Sequence, residues 1–159
     1  MRPTSDLVRG AVFDALEARQ VDASRVLDLY AGSGALGIEA LSRGAGWCDF
    51  VEREAPNVAL IRENLALTGL KERAKVHRMS VERAAERLTE LYSLVLADPP
   101  YADDAALAAL ERVAGSHLVQ PGTTLVLEHS RRREPPETLG SLRLAWSRRY
   151  GDSQVSIYQ

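Results

Sequence analysis

Near the start of the chain the apolar residues Leu7, Val8, Ala11, Val12, Ala15 and Leu16 recur with helical period, and Ser5 or Asp6 stands where such a helix is capped. This leading helix is expected to pack on a sheet. From Val26 onward the pattern becomes short apolar runs alternating with helical stretches, as in strands of a mostly parallel sheet separated by crossover helices. Strands are predicted at 26–30, 47–51, 74–78, 93–97 and 123–128. Helices are predicted at 35–42, from about Pro56 to a stop at Gly69, at 81–91 and at 105–113. Residues 142–150 and 154–158 flank Gly151-Asp152-Ser153 and read as a closing antiparallel hairpin. The expectation is an α/β fold with a Rossmann-like, mostly parallel seven-stranded sheet, helices on both faces and a C-terminal hairpin. Residues 131–140, with their prolines, read as a surface loop.

Two places in this pattern carry chemistry. The first is the turn after the first strand, where Gly32, Gly34 and Gly37 have the spacing G-x-G-x-x-G. Glu52 follows Gly32 by twenty residues and ends the second strand, where a carboxylate can accept both hydroxyls of an adenosine ribose. A nicotinamide dinucleotide and S-adenosylmethionine would use such a corner alike, and a tight turn without ligand would share its glycines. Asp28 tilts the choice. A carboxylate four residues before Gly32 repels a pyrophosphate, which needs the helix N-terminus, but can face the ammonium and sulfonium of S-adenosylmethionine. The structural alternative is that Asp28 caps the next turn.

The second place is Asp98-Pro99-Pro100-Tyr101, which stops the fourth strand abruptly because two prolines cannot continue a sheet interior. Ligands of open parallel sheets sit beyond the carboxyl ends of the strands. An exocyclic base amine is a weak nucleophile, its lone pair being delocalised into the ring. The Asp98 carboxylate and the Pro99 carbonyl can each accept one amine hydrogen and free that lone pair for attack on a methyl group. The prolines fix the backbone in advance, and Tyr101 offers a face on which a base stacks. A base in a duplex would first have to be flipped out. The alternative is a plain turn, which each of these residues favours.

A chain of 159 residues suits one domain, and its apolar and charged fractions are those of an ordinary globular protein. Cys48 is the only cysteine, so no internal disulfide or cysteine-rich metal site can form, and a reducing compartment suits it. His77, His117 and His129 have no ligand spacing. No signal-peptide core or membrane-length run is seen. The net charge of −2 does not advertise a nucleic-acid binder, yet Arg131, Arg132, Arg133, Arg143, Arg148 and Arg149 crowd into the last thirty residues. They fit RNA contact or a solvated basic surface.

The blocks Arg2-Pro3-Thr4-Ser5-Asp6, Leu27 to Gly37, Ala40 to Ala45, Leu96 to Tyr101 and Arg149 to Ser153 run through nearly the whole chain. Together they resemble the class I methyltransferases with an Asn/Asp-Pro-Pro-aromatic motif. Within these they resemble the RsmD-type bacterial 16S rRNA (guanine-N2)-methyltransferase family. The resemblance implies an enzyme that moves one methyl group from S-adenosylmethionine to N2 of a guanine; a cytoplasmic location, no metal and a monomer are expected beside it. Its partner would be 16S rRNA in the small ribosomal subunit or its assembly intermediate, and S-adenosylhomocysteine its other product. Carried over residue by residue, Asp28, Ala31, Gly32, Ser33 and Gly34 hold the methionine end, Glu52 the ribose and Ser80 the adenine. Asp98, Pro99, Pro100 and Tyr101 hold the target base. Arg2, Thr4 and Arg9 line the entrance, and Arg148 and Arg149 contact RNA. The family usually has a basic, strand-forming segment before its Arg-Pro-Thr, and here Met1 takes that place, so this segment is expected to be absent. Around Met79 and Ser80 the family often has an acidic or amide residue. The rivals are adenine-N6 methylation of DNA, an NAD-dependent oxidoreductase, and a non-catalytic RNA-binding assembly factor. The chain has no room for the added domain with which DNA enzymes read a site.

Overall fold

The computed structural model describes residues 5–101, 103–130 and 132–159. The chain runs α1 (Asp6–Ala18), β1 (Val26–Leu29), α2 (Ala35–Ser42), β2 (Cys48–Glu52), α3 (Ala55–Thr68), β3 (Ala74–Arg78), α4 (Val81–Arg87) and β4 (Leu94–Ala97). It continues with α5 (Asp104–Ala114), β5 (Thr124–Ser130), β6 (Thr138–Leu139), β7 (Leu142–Tyr150) and β8 (Ser153–Tyr158). The strands form one sheet in the order β3-β2-β1-β4-β5-β8-β7-β6. β3, β2, β1, β4 and β5 are parallel. β8 then enters antiparallel between β5 and β7.

The parallel strands β1, β2 and β4 are buried at every position, which is why they read as continuous apolar runs rather than alternating ones. α1, α2 and α3 cover one face, packing Val12, Phe13, Leu41 and Ile61 on Val26, Phe50, Leu96 and Ile157. α4 and α5 cover the other, with Ala84, Leu110 and Val113 on Leu27, Leu29, Val95 and Leu125. From β1 the chain steps outward to β2 and β3 on one side, and α4 then carries it back across β1 to β4 on the other. The crevice beyond the carboxyl end of β1 is therefore the switch point where such sheets take ligands. Among the described residues no helix is long and apolar enough to cross a membrane.

Two expectations need correction. Among the described residues the sheet has eight strands, not seven: residues 138–139, within the expected surface loop, pair as β6 with β7 through Leu139↔Leu142, and both leucines are buried. The helix expected over 81–91 ends at Arg87. Leu88 turns extended, with ψ 143°, so that its side chain and that of Tyr92 enter the core on the way into β4.

Candidate active site

The turn between β1 and α2 is held by contacts from three elements. Tyr30, Gly32 and Gly34 have φ of 55°, 59° and 83°, the left-handed region that glycine enters freely and that costs other residues about 1–2 kcal/mol. Glu52, at the end of β2, accepts the Gly32 N–H on Oε1 at 2.8 Å. Its Oε2 accepts from the Glu54 N–H at 2.9 Å and from Asn57 Nδ2 at 3.4 Å. Asn64 on α3 donates to the Ser33 carbonyl at 2.9 Å. Asp28 Oδ2 accepts the Gly37 N–H at 3.0 Å, so it caps α2 from the neighbouring strand. Gly37 serves another purpose: a Cβ there would lie 2.4 Å from the Phe50 ring and 2.8 Å from Cys48 Sγ, so glycine lets α2 close on β2.

Beyond this turn opens a cleft of about 360 Å³ lined by Glu52, Met79, Ser80, Pro99, Pro100 and Tyr101, with Tyr30 in its wall. Ser80 also caps α4, accepting the Arg83 N–H at 3.2 Å. Tyr101 is 76% exposed, an aromatic face presented at the cleft. Asp98 is half-buried next to it, directly after β4. The cleft thus gathers Glu52, Ser80, Pro99, Pro100 and Tyr101 of the residues singled out in the sequence. Asp28, Gly32 and Gly34 are buried in the turn behind it, and Ala31 and Ser33 are half-buried there.

Other expected contacts lie elsewhere. Arg9 sits on α1 and pairs with Asp6 at 2.7 Å and Glu39 at 3.3 Å. Arg148 and Arg149 lie on exposed β7, away from the cleft lining. Arg2 and Thr4 lie outside the described residues. Sequence reasoning missed Tyr30, Asn57 and Asn64. A non-glycine residue at positive φ leaves no trace in a periodicity, and the two asparagines read as ordinary polar positions of a helix.

Three carboxylates converge on the ends of β1, β2 and β4. Burial pushes the Asp28 carboxyl well above the ordinary range; the Gly37 N–H opposes this, while the negative charges of Asp98 and Glu52 add to it. Burial also raises the Tyr30 hydroxyl to about 12, reinforced by Glu82 and Asp103. A pyrophosphate would enter this field against repulsion, whereas a ligand bearing positive charge and two ribose hydroxyls is complementary to it. Glu52 has lone-pair capacity left on Oε1, with a single short donor there. Among the described residues no three His, Cys, Asp or Glu side chains gather as metal ligands.

The family model described as conserved hypothetical protein 95 matches residues 1–159. The Bacillus subtilis protein named "Putative rRNA methyltransferase YlbH" is 38% identical over 162 residues, spanning 99% of this chain and 87% of that one. Ribosomal RNA small subunit methyltransferase D of Escherichia coli is 37% identical over 101 residues, 64% of this chain and 50% of its own length. A solved structure titled "Putative methyltransferase yhhF from Escherichia coli" superposes with a TM-score of 0.87 at 25% identity, covering 99% of this chain and 88% of that one. The sheet order, the turn after β1 and the whole-length match agree, and the chain belongs to the conserved hypothetical protein 95 family, the RsmD-type methyltransferases with the class I fold.

Proposed function

We propose that this protein transfers a methyl group from S-adenosylmethionine to the exocyclic N2 of a guanine in 16S rRNA, acting in the cytoplasm as a monomer on the small subunit or its assembly intermediate. The observation that carries this is the position of Pro99, Pro100 and Tyr101, in the lining of the cleft that contains Glu52, with Asp98 just before them, directly after β4. S-adenosylmethionine, when bound, supplies an electrophilic methyl group. The chain's own residues do the rest. Glu52 takes the ribose hydroxyls, the turn from Ala31 to Gly34 takes the methionine end, and Ser80 borders the adenine. Asp28 serves twice, capping α2 and countering the ligand's positive end. The Asp98 carboxylate and the Pro99 carbonyl accept hydrogen bonds from the two amine hydrogens, so its lone pair turns out of conjugation, and the methylated nitrogen gives up its surplus proton to solvent. Tyr101 carries the base on its ring.

The test is transfer of labelled methyl to 30S particles lacking the modification, followed by nucleoside analysis, with Asp98→Ala as control. Labelled N2-methylguanosine that vanishes in the variant is the expected result. Label in N6-methyladenosine would replace guanine by adenine, because the same pair of acceptors serves either amine. No label in any nucleoside would sink the proposal.

A further inference from the structure

β7 carries an irregularity that changes which way its side chains point. Its register against β8 shifts between Leu144 and Trp146, so Ala145 is an extra residue. Bulges of this kind re-aim the residues that follow them. Leu144 packs with the core under α4 and α5, whereas Trp146 and Tyr150 pack at the edge of the core under α1. Trp146, Arg148 and Tyr150 therefore form one row facing α1. Opposite them α1 presents the small side chains of Ala11, Ala15 and Ala18, and between the two lies an open groove of about 600 Å³.

The groove's chemistry is specific. Arg148 lies over the Tyr150 ring at 5.7 Å and makes no ion pair among the described residues. Arg19 stands at the other end, hydrogen-bonded to Gln159 at 2.8 Å. The one carboxylate among the described lining residues, Asp14, is bound to Arg43 at 3.0 Å, which leaves this lining cationic. Tyr150 pairs with Ser153, which in turn pairs with Ser130 at the carboxyl end of β5. The groove therefore begins at the same end of the sheet as Asp98. From Trp146 to Tyr150 the strand spans roughly 13 Å, room for about four nucleotides at the ~3.4 Å spacing of a stacked strand. Aromatic faces alternating with arginine are what single-stranded nucleic acid uses, bases on the rings and phosphates on the guanidinium.

We infer that the groove between α1 and β7 binds a single-stranded RNA segment that flanks the methylated base, with Trp146 and Tyr150 as stacking faces and Arg148 as the phosphate contact. It rests on the methyltransferase function proposed above. The probe is an oligouridylate of about ten nucleotides, within the usual size of such sites, added without methyl donor. In a Trp47→Phe background Trp146 is the reporting tryptophan, and its emission should be quenched on titration and recover with salt. Arg148→Glu, an exposed change, should raise the dissociation constant about tenfold or more, measured by quenching and, with Trp47 intact, by filter binding. In the 30S assay it should raise KM and leave kcat in place. Absence of quenching, or equal affinity in Arg148→Glu, would overturn the groove even if wild-type transfer proceeds, leaving the methyltransferase proposal intact. Quenching that follows protein concentration, with dimers in sedimentation, would assign the groove to a second copy and overturn it equally. Quenching lost in Arg148→Glu in a protein that transfers no methyl would support the groove and remove the activity.

Discussion

At the scale of single residues, Asp28 combines two demands that an amide separates. Its carboxyl is held above its ordinary range by burial and by Asp98 and Glu52. Between that range and the raised value the folded chain binds more protons than the unfolded one, so Asp28 costs stability as pH rises through this window. Asp28→Asn keeps an oxygen for the Gly37 N–H and removes the charge. At neutral pH the variant is expected to melt at or above the wild type, by about 2–4 °C per kcal/mol relieved. The melting shift given by S-adenosylhomocysteine, whose ammonium loses its counter-charge, should shrink; an unchanged shift would show that Asp28 is a cap alone. Tyr101→Ala should leave the melting temperature in place, since the ring is exposed, and lower kcat/KM about tenfold or more, because stacking on such a ring is worth roughly 1–3 kcal/mol. Glu52 and Asp28 could be found from the sequence because each stands at a fixed distance from the glycines. Asn64 could not: it holds Ser33 across 31 residues, a distance no local pattern records.

At the scale of elements, two glycines make opposite forecasts. Gly10 lies inside α1, and a Cβ there meets nothing within 4 Å. Gly10→Ala should stabilise the chain by about 0.8–1 kcal/mol. Gly37→Ala forces α2 away from Phe50 and Cys48 and should cost about 1–3 kcal/mol, with weaker cofactor binding because the turn before α2 moves with it. Denaturant melts of the two variants check both signs. The elements themselves were legible where the chain obeys one period: the four fully buried residues of β1 and the capped, amphipathic α1. Legibility failed where tertiary burial overrode the local pattern. Leu88 belongs to a helical pattern but leaves α4 to fill the core, and Leu139 sits in a proline-rich stretch but is pinned against Leu142. The bulge in β7 gave no signal, since Ala145 is an unremarkable residue in an otherwise alternating run.

At the scale of the whole molecule, a polar network ties β2 to β3 and to the segment that enters β4. Asp49 of β2 accepts from the Tyr92 hydroxyl at 2.7 Å and lies 2.9 Å from His77 Nε2 of β3. Burial works against its charge, but the bonds to His77 and Tyr92 outweigh it, and the carboxyl is held below its ordinary range. The stability it contributes is present above that ordinary range and is lost as pH falls through the lowered folded value. Tyr92→Phe should cost about 1.5–3 kcal/mol at neutral pH, as for a hydrogen bond to a charged group, and less in acid. A penalty constant with pH would separate the hydroxyl from the carboxylate. The parallel direction of the first five strands followed from the alternation of runs and helices, while their order and the insertion of β8 between β5 and β7 are long-range choices that no run displays. That insertion bears on how the protein is made. β8 follows the other seven described strands in the chain, yet it lies inside the sheet, with Val155, Ile157 and Tyr158 wholly buried. Until it emerges from the ribosome, β5 waits with an open edge and β7 has no neighbour on that side. The nascent chain therefore stays sticky and dependent on chaperones until β8 has emerged, and a stop codon before Val155 should leave aggregate rather than a smaller enzyme.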